Sequence, residues 1–180
     1  MTKKLTKPIA FLSAVAMLMT MLLYLPSSVF SDIGLGLSAN AAEITPTEPS
    51  KGTGGVYQIT NAAELYWFAG LVYGTLDGVS QNSSANAKLM NNITVNENLL
   101  ASLEYDADGN VTNGASFTSW TPIGITHTYS YNGTFNGNGK TISGLFCNNS
   151  KTDYVGLFGC IDCGKVTDVK VADSYIRGRS

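Results

Sequence analysis

Residues 131–171 have the sequence YNGTFNGNGKTISGLFCNNSKTDYVGLFGCIDCGKVTDVKV, and this stretch decides the predicted fold. Short runs rich in β-branched and aromatic residues, at Thr141–Phe146, Tyr154–Phe158 and Lys165–Val171, alternate with clusters of Gly, Asn, Asp and Ser. Such clusters favour tight turns and therefore separate strands. The stretch thus predicts a succession of short strands, and the chain as a whole is expected to be mainly β.

The runs also repeat one another. The GLF at 144–146 returns at 156–158, and the I-x-x-L at 142–145 is matched by the V-x-x-V at 166–169. A unit of about 24 residues made of strands and turns is typical of a solenoid, in which each unit buries its apolar side against the next. The repeats therefore predict a solenoid that begins at residue 131.

Inward positions of such a stack need apolar side chains that pack on their equivalents in the next unit. We assign this role to Ile142, Leu145, Val155, Leu157, Val166, Val169 and Val171. Corners need residues that tolerate a positive φ, and asparagine follows glycine in this respect. We therefore expect corners at Asn132, Asn136, Asn138, Asn148 and Asn149.

The N-terminal segment predicts export. Lysines at positions 3, 4 and 7 precede an almost wholly apolar run over 9–25, and Ala39-Asn40-Ala41 supplies the small residues of a cleavage site. A run of this length is at the lower limit for a bilayer span, so a transmembrane anchor is the alternative. Pro26 and the serines after it favour cleavage. We therefore predict a signal peptide over 1–41 and a secreted or cell-surface protein.

Removal of the predicted signal peptide leaves 42–180, which is long enough for one modest domain. The leader takes more basic than acidic side chains with it, so the mature chain is more negative than the full sequence, whose net charge is −2. A mildly acidic chain without a basic patch argues against a nucleic-acid partner. The segment 42–55 contains prolines, glycines and little to bury, which predicts a flexible linker. We assign 56–130 to an N-terminal cap, and 131–180 to the first solenoid units.

One amphipathic helix is predicted in the cap, after a short strand at 56–59. Asn61 is the expected N-cap, Glu64 closes a capping box, and Gly74 follows the last helical residue, Tyr73. The apolar stripe consists of Leu65, Phe68, Leu71 and Val72, with Trp67 at its edge. A helix with one apolar face suits the exposed end of a strand stack, where it hides an unpaired sheet edge.

Two further segments of the cap have a predicted structure. Lys88–Val95 is expected to be a strand. Asp106–Asn110 (DADGN) suggests a calcium loop, but if Gly109 is the sixth residue of such a loop, the twelfth is Ala115 and the bidentate Glu is missing. A hairpin turn at Asp108-Gly109 is the better interpretation.

The motifs from residue 57 onward resemble the N-terminal part of bacterial surface proteins that carry GLUG-type repeats. The motifs that carry the resemblance are YQITNAAEL (57–65), WFA (67–69), AKL (87–89), NI (92–93), WTPIG (120–124), YNGTFNGNG (131–139), TISGL (141–145) and YVGLFG (154–159). The resemblance implies a right-handed parallel β-helix with a capping helix, in an extracellular protein that is often an adhesin.

The same resemblance leaves the wider role open. Similar repeats lie beside the catalytic domain of some immunoglobulin-A-cleaving peptidases, so an auxiliary region of a secreted peptidase is one alternative. Family members usually continue with further repeats, whereas this sequence ends at Ser180. We therefore expect it to be a fragment of a longer protein.

Phosphate-binding and metal-binding motifs are not satisfied. Gly133–Thr141 (GTFNGNGKT) has its first glycine one position too early for a P-loop and leads into a strand. Cys160 and Cys163 form a CxxC without a second ligand pair for zinc, and they do not open a helix as a redox motif would. The cysteines, with Cys147, are expected to be structural: a disulfide permitted by export, or small buried side chains. Neither a cofactor nor a metal is expected.

A polysaccharide-degrading enzyme is the second alternative, because parallel β-helices also include lyases and hydrolases. Glycoside hydrolysis needs two carboxylates on one face. Asp162, Asp168 and Asp173 are candidates only because they are acidic, and His127 is expected to be an exposed loop residue. We therefore predict a protein that is not an enzyme.

A binding role is favoured, with a carbohydrate or a host or cell-surface protein as partner. Trp120, Tyr129 and Tyr131 lie close together in a loop-rich stretch and are the candidate ligand-binding aromatics. The alternative is that Trp120 and Tyr131 fill the core of the cap, as large aromatic residues usually do. The sequence thus predicts a non-catalytic extracellular module, adhesive or a spacer.

Overall fold

The structure, a computed structural model, describes residues 41–179, which form one compact unit. The predicted signal peptide lies outside the described residues, apart from Ala41. Within the described part of the chain, no helix is long and apolar enough to cross a membrane.

The described residues contain short strands and two helices. The strands are β1 (Ser50–Lys51), β2 (Tyr57–Ile59), β3 (Ala87–Leu89), β4 (Ile93–Thr94), β5 (Thr134–Asn136), β6 (Thr141–Ser143), β7 (Phe146–Asn148), β8 (Lys165–Thr167), β9 (Lys170–Ala172) and β10 (Tyr175–Arg177). The helices are α1 (Ala62–Tyr73) and α2 (Leu99–Ser102), with 3₁₀ turns at Thr53–Gly55 and Gly114–Ser116.

The strands form three sheets in which nearly all pairs are parallel. The largest has the order β1-β2-β3-β5-β8, the second has the order β4-β6-β9, and β7 pairs with β10. Only β1 runs antiparallel to its neighbour, β2. Chain order within each sheet shows that the chain returns repeatedly to lay a new strand beside an earlier one. Parallel neighbours require such crossover connections.

The strand register contradicts the predicted repeat length of about 24 residues. Phe135 pairs with Val166 and Ile142 pairs with Val171, and both intervals along the chain are longer than the predicted unit. Ile142 and Val166 therefore belong to different sheets and are not equivalent positions. The two GLF motifs are not register partners, so their spacing does not give the repeat length. Phe146 pairs with Tyr175, and Phe158 forms a bridge with Ile123.

The predicted inward positions have three different degrees of burial. Ile142, Leu145 and Leu157 are buried. Val155, Val166 and Val169 are half-buried, and the last two pack against the core. Val171 is exposed although it is the register partner of the buried Ile142, so the expectation that it is buried in the stack is wrong in this structure. It lies on β9, the outermost strand of its sheet, where none of the described strands covers it.

Helix α1 forms as the sequence predicts. The Asn61 side chain accepts a hydrogen bond from the Glu64 backbone N–H at 3.0 Å, and Gly74 closes the helix in the left-handed conformation. The Glu64 carboxylate reaches back to the N–H and hydroxyl of Thr60 instead of to Asn61. This arrangement satisfies one more free N–H at the helix entrance.

The apolar face of α1 packs on residues of β2 and β5 in the large sheet and on Tyr131, which precedes β5. The Phe68 ring lies about 6 Å from the rings of Tyr57, Tyr131 and Phe135, centre to centre. Trp67, expected at the edge of the stripe, is buried and packs on Tyr57 at 5.3 Å. The helix therefore buries a wider face than its periodic stripe indicates.

The prediction of a flexible linker at 42–55 is wrong, because this segment is attached to the rest of the fold. Strand β1 pairs with β2, Pro49 is buried, and the Ala42 carbonyl accepts a hydrogen bond from the Thr118 hydroxyl. These contacts attach the segment to the same compact unit. Nor is there a domain boundary at 130/131, because β3 pairs directly with β5.

Two other local predictions need revision and one is confirmed. Lys88–Val95 is divided into β3 and β4 by a corner at 90–92, so it is not one strand. Of the asparagines expected at corners, only Asn138 has a positive φ, 52°. The predicted turn at Asp108-Gly109 is confirmed: Tyr105 and Val111 form an antiparallel bridge, and the Gly109 N–H donates to the Asp106 carbonyl.

Candidate functional site

A cleft of about 390 Å³ opens between the segment at 119–126 and the segment at 146–154. Its volume lies within the range of small-molecule sites. The lining combines apolar and aromatic side chains with hydroxyl and amide groups: Ser119, Trp120, Thr121, Pro122, Ile125, Thr126, Phe146, Cys147, Asn148, Asn149, Thr152 and Tyr154. We call this feature the Trp120–Tyr154 cleft.

Strand pairing brings the two sides of the cleft together. Ser119 forms a parallel bridge with Phe146, and the Trp120 N–H donates to the Phe146 carbonyl at 2.7 Å. Ile123 forms the next bridge, with Phe158. Two isolated backbone bridges therefore join the sides of the cleft, and they hold its shape better than free loops would.

Trp120, the first predicted ligand-binding aromatic, lines this cleft but is almost completely buried, at 3 % exposure. Its indole N–H donates to the Gly156 carbonyl at 3.0 Å, and its ring meets Tyr66 edge-on at 5.1 Å. The indole ring is thus already in contact with Gly156 and Tyr66 of the protein. Trp120 forms the wall of the cleft and leaves little free surface for a ligand to stack on.

Tyr131, the second predicted residue, is a core residue and does not face the cleft. It is fully buried, and its hydroxyl donates to the Ala85 carbonyl at 2.9 Å. Burial raises the pKa of this phenol far above its ordinary value. The alternative that Tyr131 fills the core is therefore the one the structure supports.

Tyr129, the third, is exposed but lies away from the cleft lining. Its ring meets that of Tyr73, at the end of α1, edge-on at 5.1 Å. The three predicted aromatics consequently do not form one binding surface. Only Trp120 belongs to the cleft.

Most residues of the cleft lining were not predicted as site residues, and Tyr154 and Asn148 are two of them. Tyr154 is half-buried, and Asn148 is exposed at the end of β7. The loop at 149–154 is stiffened by its own hydrogen bonds, with the Asn149 side chain accepting from the Lys151 N–H and the Thr152 hydroxyl oxygen accepting from the Tyr154 N–H. In the sequence, the YVGLFG motif at 154–159 follows a loop with two asparagines. Sequence proximity alone does not show that this loop lies beside Trp120.

The three cysteines occupy different environments and are free thiols. Cys147 is buried at the floor of the cleft, and burial raises the pKa of its thiol. Cys163 is exposed and donates to an Asp162 carboxylate oxygen at 3.4 Å, and this hydrogen bond, together with the carboxylate charge, raises the pKa of its thiol. Only Cys147 fits the description of a small buried side chain, and a disulfide among the three stays a prediction.

The candidate carboxylates have structural roles or solvent contact. Asp173 accepts hydrogen bonds from the N–H groups of Leu99 and Leu100, at the start of α2. Asp168 has a positive φ of 53° at a corner, and Asp162 contacts Cys163. Within residues 41–179, no group of three or more His, Cys, Asp or Glu side chains is placed to hold a metal ion.

The Trp120–Tyr154 cleft therefore offers the half-buried ring of Tyr154, several amide and hydroxyl groups and some apolar side chains. Such a lining suits hydrogen bonding and stacking with a neutral, hydroxyl-rich ligand. The lining contains no carboxylate and no cationic side chain. In comparisons with known proteins, no family model, no curated protein and no solved structure matches this chain.

Proposed function

We propose that this chain is a non-catalytic extracellular module of a larger bacterial surface protein, an adhesive or spacer scaffold of the right-handed parallel β-helix kind. The observation that carries the proposal is the repeated parallel pairing of β5 with β8, β6 with β9 and β7 with β10, at nearly the same step along the chain. A nearly constant step in three sheets is what a coiled stack of strands requires. The family resemblance of the sequence to GLUG-repeat proteins agrees with this proposal.

The role of α1 in this scaffold is that of a cap. Its buried residues pack on Tyr57 of β2 and on Phe135 of β5, so it covers the large sheet from β2 to β5. A stack of parallel strands exposes apolar side chains and free backbone groups at its ends, and a covering element prevents edge-to-edge association. The antiparallel strand β1 protects the outer edge of β2 in the same way.

For the adhesive role, we propose that the Trp120–Tyr154 cleft binds a neutral carbohydrate. Sugar rings present hydroxyl groups along their edges and C–H groups on their faces. Asn148 and Thr152 supply partners for the hydroxyls, and the half-buried ring of Tyr154 supplies a surface for the C–H groups. A host-protein ligand is the competing outcome of the experiment below.

The experiment is a glycan-array measurement with residues 42–180. We expect binding of a defined set of neutral glycans by the unmodified chain, and loss of that binding in Tyr154→Ala and Asn148→Ala. Tyr129→Ala is the matched control, since it removes an exposed tyrosine outside the cleft and should leave binding unchanged. Trp120→Ala is unsuitable because it removes a buried core side chain.

Two results would count against the carbohydrate proposal. One is the absence of binding to any glycan, and the other is binding that Tyr154→Ala and Asn148→Ala leave intact. Binding to immobilised host surface protein, lost in the same two variants, would keep the cleft as the site and change the ligand class.

A further inference from the structure

We propose that Cys160 is a nucleophilic thiol with His127 as its proton acceptor, and that it reacts with small disulfide-bearing molecules. The Cys160 Sγ lies 3.6 Å from the His127 Nδ1. This separation is within the range for a hydrogen bond to sulfur. A thiol beside an imidazole is the pairing that generates a thiolate near neutral pH, and the thiolate is the reactive form.

The backbone holds the thiol in place. The Cys160 N–H donates to the Gly124 carbonyl, and the Cys160 carbonyl accepts from the Tyr131 N–H at 2.9 Å. Gly124 has a φ of 70°, and a Cβ at this position would collide with the Cys160 carbonyl oxygen. The backbone of Cys160 is therefore hydrogen-bonded to both ends of the segment 124–131, which also contains His127.

His127 is positioned by its neighbours and still open to solvent. Its ring meets Tyr154 edge-on at 5.6 Å between ring centres, which places the pair directly behind the rim of the Trp120–Tyr154 cleft. The His127 residue is exposed and Cys160 is half-buried, so small reagents reach the sulfur. His127 is the only histidine of the chain.

Two other titratable groups near the pair, Tyr154 and Asp162, have contacts of their own. Tyr154 contacts His127 through the edge of its ring, and the Asp162 carboxylate accepts from Cys163. Among residues 41–179, no carboxylate is hydrogen-bonded to the thiol or to the imidazole of the pair. The other two thiols differ: Cys147 is buried, and Cys163 is held beside a negative charge that opposes its ionisation.

The reaction has two exchange steps. First, the Cys160 proton moves to His127 Nδ1, the thiolate attacks one sulfur of the small disulfide, and the S–S bond of that molecule breaks. The departing thiolate takes the proton from His127, and a mixed disulfide remains on Cys160. Second, Cys163, three positions along the chain in the CxxC, attacks the Cys160 sulfur. A Cys160–Cys163 disulfide forms, the mixed disulfide breaks, and the Cys163 proton passes to the second half of the reagent, which leaves as a thiol. Two electrons pass from the two cysteines to the small disulfide, which is the oxidant.

The test uses 5,5′-dithiobis(2-nitrobenzoate), a small aromatic disulfide whose released thiolate is coloured, on residues 42–180. We expect two equivalents of coloured thiolate from the unmodified chain, together with a Cys160–Cys163 disulfide and no reagent left on the protein in peptide mass spectrometry. Two equivalents with one mixed disulfide on each of the two cysteines would overturn the second step. Cys163→Ser should release one equivalent and keep a mixed disulfide on Cys160, identified by peptide mass spectrometry. Tyr129→Ala, which removes an exposed side chain of the same 124–131 segment outside the cleft, is the matched control and should leave the rate and the yield unchanged.

His127 is tested by the pH dependence of the rate. In His127→Ala, we expect the rate at pH 7 to fall by about threefold or more, because the thiol loses its proton acceptor. Well above pH of about 8.5, where a cysteine thiol ionises without help, the two rates should be equal. Identical rates at pH 7 in His127→Ala and the unmodified chain would overturn the proposal. A mixed disulfide on Cys147 instead of Cys160 in the Cys163→Ser chain would also overturn it.

Discussion

Ile142 and Val171 are register partners in the adjacent parallel strands β6 and β9, yet Ile142 is fully buried and Val171 has 44 % of its surface exposed. Cys147 and Ile176 differ in the same way in β7 and β10, with 5 % and 40 % exposure. Equivalent positions in successive strands therefore have the same orientation and different burial. The difference arises because β9 is outermost in its sheet and β10 pairs with β7 alone, whereas β7 is also bridged to Ser119 through Phe146.

We predict that this difference appears in stability. Ile142→Ala should lower the free energy of unfolding by about 2–5 kcal/mol, because it removes buried methyl groups and leaves a cavity. Val171→Ala, at the partner position, should lower it by less than about 1 kcal/mol, since much of the side chain already contacts water. Chemical denaturation of both variants measures the two values. Equal losses would show that Val171 is covered in solution.

Gly144 provides a second test of the packing between strands. It has a φ of 75°, and an added Cβ would collide with the backbone of Asn96, whose side-chain amide donates to the Gly144 carbonyl at 2.7 Å. Gly144→Ala should therefore prevent folding or lower stability by more than about 3 kcal/mol, the left-handed strain of about 1–2 kcal/mol being only part of the cost.

Gly139→Ala is the control for this prediction. Gly139 has a similar φ, 70°, but no heavy atom within 4 Å of the added Cβ. We expect only the conformational cost, about 1–2 kcal/mol. If thermal melts show the two variants to be equally stable, then the close approach of Gly144 to Asn96 does not exist.

The sequence was sufficient for α1 because its signals are local. Asn61, Glu64 and Gly74 act on N–H and carbonyl groups within about one helical turn of themselves, so a single window contains the whole interaction. The turn at Asp108-Gly109 was predictable for the same reason.

The register of the parallel strands was not predictable from the same signals. The interval along the chain from Lys88 to its partner Asn136 is much longer than the interval from Phe135 to Val166, so loops of unequal length interrupt the period. A short motif such as GLF recurs within one turn of the chain and suggests a shorter repeat. The Trp120–Tyr154 cleft depends on this register, and for that reason Tyr154 and the Cys160–His127 pair were not foreseen.

The N-cap of α1 should contribute a measurable share of stability. Asn61→Ala removes the acceptor for the Glu64 N–H and should cost about 1 kcal/mol, measured as a shift of the denaturation midpoint. Asn61→Asp keeps the acceptor and should retain most of the stability. An unchanged midpoint in Asn61→Ala would mean that the cap hydrogen bond contributes nothing.

The buried phenol of Tyr131 predicts a loss of stability at high pH. Its pKa is raised in the folded protein, because burial disfavours the phenolate, so the folded state keeps the proton that the unfolded state releases above pH of about 10. Stability is therefore complete below this pH and decreases as the pH rises further. Burial also raises the pKa of Tyr66, which adds to the effect.

Denaturation midpoints at pH 8 and at pH 11 measure this contribution. In Tyr131→Phe, the midpoint at pH 8 should fall, since the Ala85 carbonyl loses its donor, but the further decrease toward pH 11 should be smaller than in the unmodified chain. An equal decrease in both chains would exclude Tyr131 as a source of the alkaline instability.

The central claim is the parallel register, and engineered cross-linking tests it most directly. Thr134 and Lys165 are exposed register partners on β5 and β8. In a chain with Cys147→Ala, Cys160→Ser and Cys163→Ser, the pair Thr134→Cys and Lys165→Cys should form a disulfide under mild oxidation, because the Cα atoms of neighbouring strands are close enough for one. The pair Thr141→Cys and Lys165→Cys, which a repeat of about 24 residues would align, should stay reduced. A disulfide in the second pair and none in the first would contradict the account.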